Sequence, residues 1–128
     1  MATIKSFTSL EQSKKLAEIL PLDSADMFYA DLFVNNKHNY IVHPLETYGF
    51  ETFKDTKQQE SKHLSFLPCW SLTALLSVLP RETRLLKSAT DDIFYHTDCP
   101  KGNVDEWFDN PVDACYELIL KLHELKML

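Results

Sequence analysis

Two prolines, Pro68 and Pro80, bracket the most apolar stretch of the chain, the uncharged run from Leu67 to Pro80. Within it Leu72, Leu75, Leu76 and Leu79 recur at i, i+3, i+4 and i+7, the spacing that lays one apolar stripe along a helix. Ala74 and Val78 flank that stripe. The pattern predicts a helix over about 70–79, apolar over more than half its circumference and therefore buried. Any fold for this chain must supply partners to cover it.

Those partners are legible on both sides. Thr8 and Ser9 precede Leu10, with Glu11 and Gln12 three residues after each, so either pair makes a capping box. A helix over 9–20 follows, stopped by Pro21, which pushes the preceding residue out of helical geometry. Near the other end, Asn110-Pro111-Val112-Asp113 reads as a helix start. Asn110 caps, Pro111 occupies a first position where its missing N–H costs nothing, and Asp113 meets the positive helix end. Cys115, Leu118, Ile119, Leu122 and Leu125 then form the buried stripe of a helix over 111–126.

Strands are expected between these helices. Tyr40-Ile41-Val42, β-branched and aromatic, predicts a strand over 39–43 ended by Pro44, after a turn cluster over 35–39. A weaker alternation at 48–53 suggests a partner strand, and the wholly polar 54–63 a loop. Residues 83–88 and 92–97 read as a hairpin turning at Thr90-Asp91-Asp92. On its second strand Ile93, Tyr95 and Thr97 share one face, Phe94 and His96 the other. Cys99 to Asn103 is a turn. Residues 23–34 fit both helix and strand; one or two helical turns followed by extended chain is the reading adopted. Together these predict one α+β domain over 1–128, its three main helices packed on one face of a small, mainly antiparallel sheet.

Composition narrows function. At 45% apolar and 25% charged residues the chain is globular. Its two glycines, Gly49 and Gly102, exclude glycine-rich phosphate loops and the dinucleotide fingerprint. The net charge of −6 is local: from Asp91 to Glu117 eight acids face one base, Lys101. Such a surface repels nucleic-acid phosphates, so no nucleic-acid partner is expected. No stretch is long and apolar enough to span a bilayer, so no membrane role is expected. Three sparse cysteines without an apolar leader point to reduced thiols and a cytoplasmic location.

Chemical candidates are few. Cys69-Trp70-Ser71 stands near a helix start, where a thiolate is stabilised, and papain-like hydrolases place their nucleophile so, followed by tryptophan. His96 would be the base. The glycine-rich lead-in of that family is missing, and the spacing from cysteine to histidine is far shorter. A packed core cysteine is the stronger reading. His96-Thr97-Asp98-Cys99 has the spacing of half a zinc site, but no second pair completes it; His43, His63, Cys115 or His123 would have to arrive by tertiary accident. No metal or cofactor is expected. Trp70 is expected to be buried, and Trp107 with Phe108 either packs the last helix or anchors a partner.

Three blocks as a set resemble a known family: Glu11 to Leu16 with Ser24-Ala25-Asp26-Met27; Pro68-Cys69-Trp70-Ser71-Leu72 with Ala74-Leu75-Leu76; and Asn110 to Cys115 through Lys121-Leu122-His123-Glu124-Leu125. They are similar to short proteins of gut-bacterial genomes, often in phage-like or mobile regions. The resemblance implies no activity or catalytic residue, only a context that favours a small accessory or regulatory protein over a metabolic enzyme. The expectation is a non-enzymatic protein that acts by binding another protein, with a homodimer left open. Its contact is sought on the aromatic and acidic surface between Asp91 and Asp109, with Asp105, Trp107, Phe108 and Asp109 as the candidate binding residues. A thiol hydrolase or transferase using Cys69 and His96 is the alternative.

Overall fold

The strand β1 (Met27–Val34) is the centre of a three-stranded antiparallel sheet in the computed structural model, which describes residues 5–34, 37–44, 66–88 and 94–128. On one side β1 pairs with β2 (Lys37–Pro44), on the other with β3 (Phe66–Cys69). Phe28, Tyr29 and Ala30 are all buried. A strand covered on both faces shows no clean alternation, which is why its pattern fitted helix and strand equally. The helical turns expected after Asp23 shrink to one 3₁₀ turn at Leu22–Ser24, and everything from Met27 is extended. Lys37 to Asn39, expected in a turn, belong to β2.

β3 carries Pro68 opposite Phe28. The strand is an edge, where a missing N–H breaks no inner ladder. The first proline of the apolar stretch therefore lies inside a strand. Helix α1 (Leu10–Ala17) packs against β3. Of the two candidate boxes the structure uses Ser9 and Gln12: the Gln12 N–H donates to Ser9 Oγ at 3.2 Å and the Ser9 N–H to Gln12 Oε1 at 3.0 Å. The helix ends three residues before the expected Leu20. These elements make up one compact unit, Ser9–Trp70.

The second unit comprises Met1–Thr8 with Ser71–Leu128. Its first helix, α2 (Leu72–Val78), is capped by Ser71, whose Oγ accepts from the Ala74 N–H at 3.1 Å. Leu75 and Leu79 are buried, but Leu76 is exposed and Leu72 only half-buried. A helix of two turns presents its stripe on one side, here toward α3 (Pro111–Glu124), and the expectation of near-complete burial is corrected. β4 (Arg84–Lys87) and β5 (Tyr95–Asp98) pair antiparallel, Leu85 opposite Thr97 and Leu86 opposite His96. Expected as one sheet, the described strands thus divide into two, with antiparallel pairing and α+β class as foreseen. The strand expected at 48–53, the loop at 54–63 and the turn at 90–92 lie outside the described residues.

α3 docks on β4 and β5. Val112, Cys115, Leu118, Ile119 and Leu122 are fully buried, each large aliphatic contributing about 1.5–3 kcal/mol. Asn110 Oδ1 accepts from the Val112 N–H at 2.9 Å, as its position implied. The helix closes in a Schellman motif: the Met127 N–H reaches Leu122 O at 2.8 Å and the Lys126 N–H reaches His123 O at 3.0 Å. Lys126 consequently takes a φ of 60°, a left-handed position that glycine fills at least strain. Leu125, expected in the stripe, is exposed because it caps the helix rather than continuing it. Gly102, in the turn after β5, approaches the same helix end; a Cβ there would stand 3.3 Å from Leu122 Cδ2 and Leu125 Cδ1.

Asn110→Ala is expected to lower stability by about 1 kcal/mol through loss of the cap. Lys126→Gly is expected to raise it by about 0.5–1 kcal/mol by relieving the left-handed lysine. Urea unfolding of both variants checks this, and a destabilised Lys126→Gly would refute the motif.

Candidate functional site

The two-stranded sheet has an inner and an outer side, and strand alternation assigns residues to each. Thr97 points inward: it is buried, and its hydroxyl donates to Ala114 O of α3 at 3.2 Å. Its neighbours on β5, His96 and Asp98, therefore face outward, as do their cross-strand partners Leu86 and Arg84. Phe94 continues the row, its N–H donating to Ser88 Oγ at 3.1 Å. Arg84 and Asp98 form an ion pair. With Glu82 and Pro100 they line a depression of about 490 Å³ at the end of the sheet.

The segment before α3 runs beside β5. Tyr95 and Phe108 exchange both backbone hydrogen bonds, at 2.6 and 2.8 Å. Phe108 thereby shares the side of Tyr95 and is half-buried, whereas Trp107 emerges on the outer side. Its indole meets the His96 ring at 5.1 Å between centroids and 33° between planes. Trp107 remains 51% exposed, and Leu86 and Phe94 are exposed beside it at 39% and 38%. Asp105, Glu106 and Asp109 are all exposed. Among the described residues no ion pair engages any of these three acids.

Of the four residues singled out in sequence, Asp105, Trp107 and Asp109 are exposed together. Phe108 departs from them, because the bridge to Tyr95 turns its side chain to the opposite side. Phe94 lies within the expected stretch from Asp91 to Asp109 but was not singled out, and Leu86 lies outside it. Parity with His96 along β5 was a usable signal for Phe94. Leu86 required the pairing register of β4 with β5, which sets it opposite His96.

The thiol candidates sit in a different environment. Cys69 closes β3, two residues before the cap of α2, and has no solvent exposure. The phenol of Tyr29 is pushed up to about 12, first by burial and then by the charge of, and a hydrogen bond with, Cys69. Trp70, also fully enclosed, donates its indole N–H to Ser24 Oγ at 2.9 Å. A nucleophile must be reachable, and an enclosed thiol is not. His96 Nδ1 is buried without a hydrogen-bond partner among the described residues, so it lacks the orienting group a catalytic base needs. Cys99 and Cys115 are likewise buried, and burial pushes the Cys115 thiol up to about 12. Among the described residues no three His, Cys, Asp or Glu side chains group as metal ligands. Nor does any described helix have the length and apolarity to cross a membrane. No family model, curated protein or solved structure matches the chain.

The two tryptophans should separate cleanly. Trp70→Ala is expected to cost about 3–5 kcal/mol and Trp107→Ala less than about 1, read by chemical denaturation. A Trp107→Ala loss as large as that of Trp70→Ala would mean that Trp107 is core. All three thiols should react with a disulfide reagent only on unfolding; one fast equivalent at neutral pH that disappears in Cys69→Ala would restore Cys69 as a nucleophile. Tyr29 and Cys115 hold their protons in the folded chain longer than in the unfolded one. Their stabilising effect is therefore complete below about pH 9 and lost as pH rises toward 12. Cys115→Ala should flatten the fall in unfolding free energy between about pH 9 and 10.5; an unchanged slope refutes it.

Proposed function

We propose that this chain is a non-enzymatic accessory protein that works by binding another protein through the outer side of β4–β5. The observation that carries the reading is Trp107: a large aromatic left half-exposed, backed by His96 and flanked by Leu86 and Phe94. Tryptophan is enriched among the residues that dominate protein–protein contacts, and a contiguous exposed apolar patch is the usual mark of such a contact. The surrounding Asp105, Glu106 and Asp109 supply a polar rim. Enclosure of Cys69, and the lack of an orienting partner for His96 Nδ1 among the described residues, favour binding over thiol chemistry.

The test compares partners retained by the wild-type chain and by a Trp107→Ala/Leu86→Ser variant in affinity capture from the native host. Specific partners should be recovered with wild type and lost, at least about tenfold, with the variant. Retention of the same partners by both chains would rule out this surface. Failure to retain any partner, in a chain that stays monomeric, would rule out the function.

A further inference from the structure

We propose that the partner presents a cationic, arginine-bearing segment to this surface, its guanidinium stacking on the open side of the Trp107 indole. The inference rests on reading the outer side of β4–β5 as the contact surface and names the chemistry of what binds there.

Three observations select the occupant. First, the His96 ring lies against Trp107, tilted by 33° at 5.1 Å, while half of the residue stays open to solvent. An open indole face attracts cations, and arginine, planar and weakly hydrated, stacks there better than lysine. Second, Asp105 and Asp109 stand two residues to either side of Trp107 and Glu106 directly before it, all exposed and none engaged in an ion pair among the described residues. Of the bases on β4, Arg84 is held by Asp98 and Lys87, by alternation with Leu86, belongs to the other side of the sheet; within residues 99–109 Lys101 is one base against three carboxylates. Third, the negative field is felt within the fold: the Glu117 carboxyl is held above the usual range, first by burial, then by Glu106 and Asp113. Asp113 is itself countered by Lys5 at 2.7 Å, whereas among the described residues no ion pair engages Glu106.

The same charge argues against other occupants. A second copy of this chain would bring the same acids to the same aromatic patch, and like charges face to face oppose association. Nucleic acid is repelled for the same reason. A cationic segment satisfies both the carboxylates and the indole, and its binding weakens with salt because the acids are exposed.

Calorimetric titration with arginine-rich, lysine-rich and glutamate-rich peptides of equal length tests the proposal, using the full chain. The arginine peptide should bind tightest and the glutamate peptide not at all. Trp107→Leu, which keeps apolar bulk but removes the aromatic face, should weaken the arginine peptide about tenfold. Asp105→Asn/Asp109→Asn should weaken both cationic peptides and flatten their salt dependence. Circular dichroism of each variant confirms that it is folded. Trp70 is enclosed, so quenching of the exposed emission by acrylamide should report protection of Trp107 in the complex. Binding that is equal for arginine and glutamate peptides, or unaffected by Trp107→Leu, overturns the proposal, as does a dimer that Trp107→Leu dissolves. If captured partners depend on Trp107 while no cationic peptide binds, this inference fails and the contact surface stands. If capture is indifferent to Trp107, the surface itself fails.

Discussion

The side of β5 that meets α3 decides where every neighbouring residue points. Thr97 is the pin: a buried hydroxyl bonded to the Ala114 carbonyl, in a strand whose side chains alternate with period two. Once Thr97 faces the helix, His96 and Asp98 must face away, and pairing carries that choice to Leu86 and Arg84 on β4. The Tyr95–Phe108 bridge carries it further, to the segment before α3, and brings Trp107 out beside His96. Burial of the α3 stripe holds the arrangement, since slipping β5 by one residue would exchange Thr97 for His96 beneath the helix.

Two tryptophans show how context divides one residue type between stability and recognition. Trp70 ends the first compact unit with its ring enclosed and its N–H satisfied by Ser24. Trp107 is half-exposed, with the His96 ring against it and carboxylates beside it in the chain. An aromatic that contributes little to the core yet is kept in the open has its apolar area available to a partner. The cysteines follow the first pattern. All three are buried, Cys69 beside the Tyr29 phenol and Cys115 within the α3 stripe, and a thiol that reagents cannot reach is inert.

Local signals were enough for the helices. Ser9 with Gln12 and Asn110 with Pro111 each mark a helix start through hydrogen bonds made within a few residues, so spacing reveals them; Ser71 caps α2 in the same way but was not singled out in the sequence. Helix ends were overestimated: α1 stops at Ala17 and α3 at Glu124, with Leu125 left outside the stripe. Apolar periodicity runs on past the last helical hydrogen bond, and only backbone geometry, such as the left-handed Lys126, shows the stop. The candidate surface was half legible, because its residues lie on three segments. Asp105, Trp107 and Asp109 share one segment and were found; Leu86 and Phe94 join them only through the hairpin.

By itself, then, the sequence determined the α+β class, the starts of α1 and α3, the alternation of β5, the acidic character of 91–117 and the absence of glycine-rich phosphate loops. All of these depend on neighbours within one turn or on composition. Tertiary structure decided that Met27–Val34 is a strand, that the strands form two sheets, that Cys69 is enclosed, and that Trp107 faces out while Phe108 does not. Those outcomes depend on which distant segment supplies the hydrogen bonds and the cover. Pairing across many residues is set by the free energy of the whole assembly and leaves no local mark in the chain.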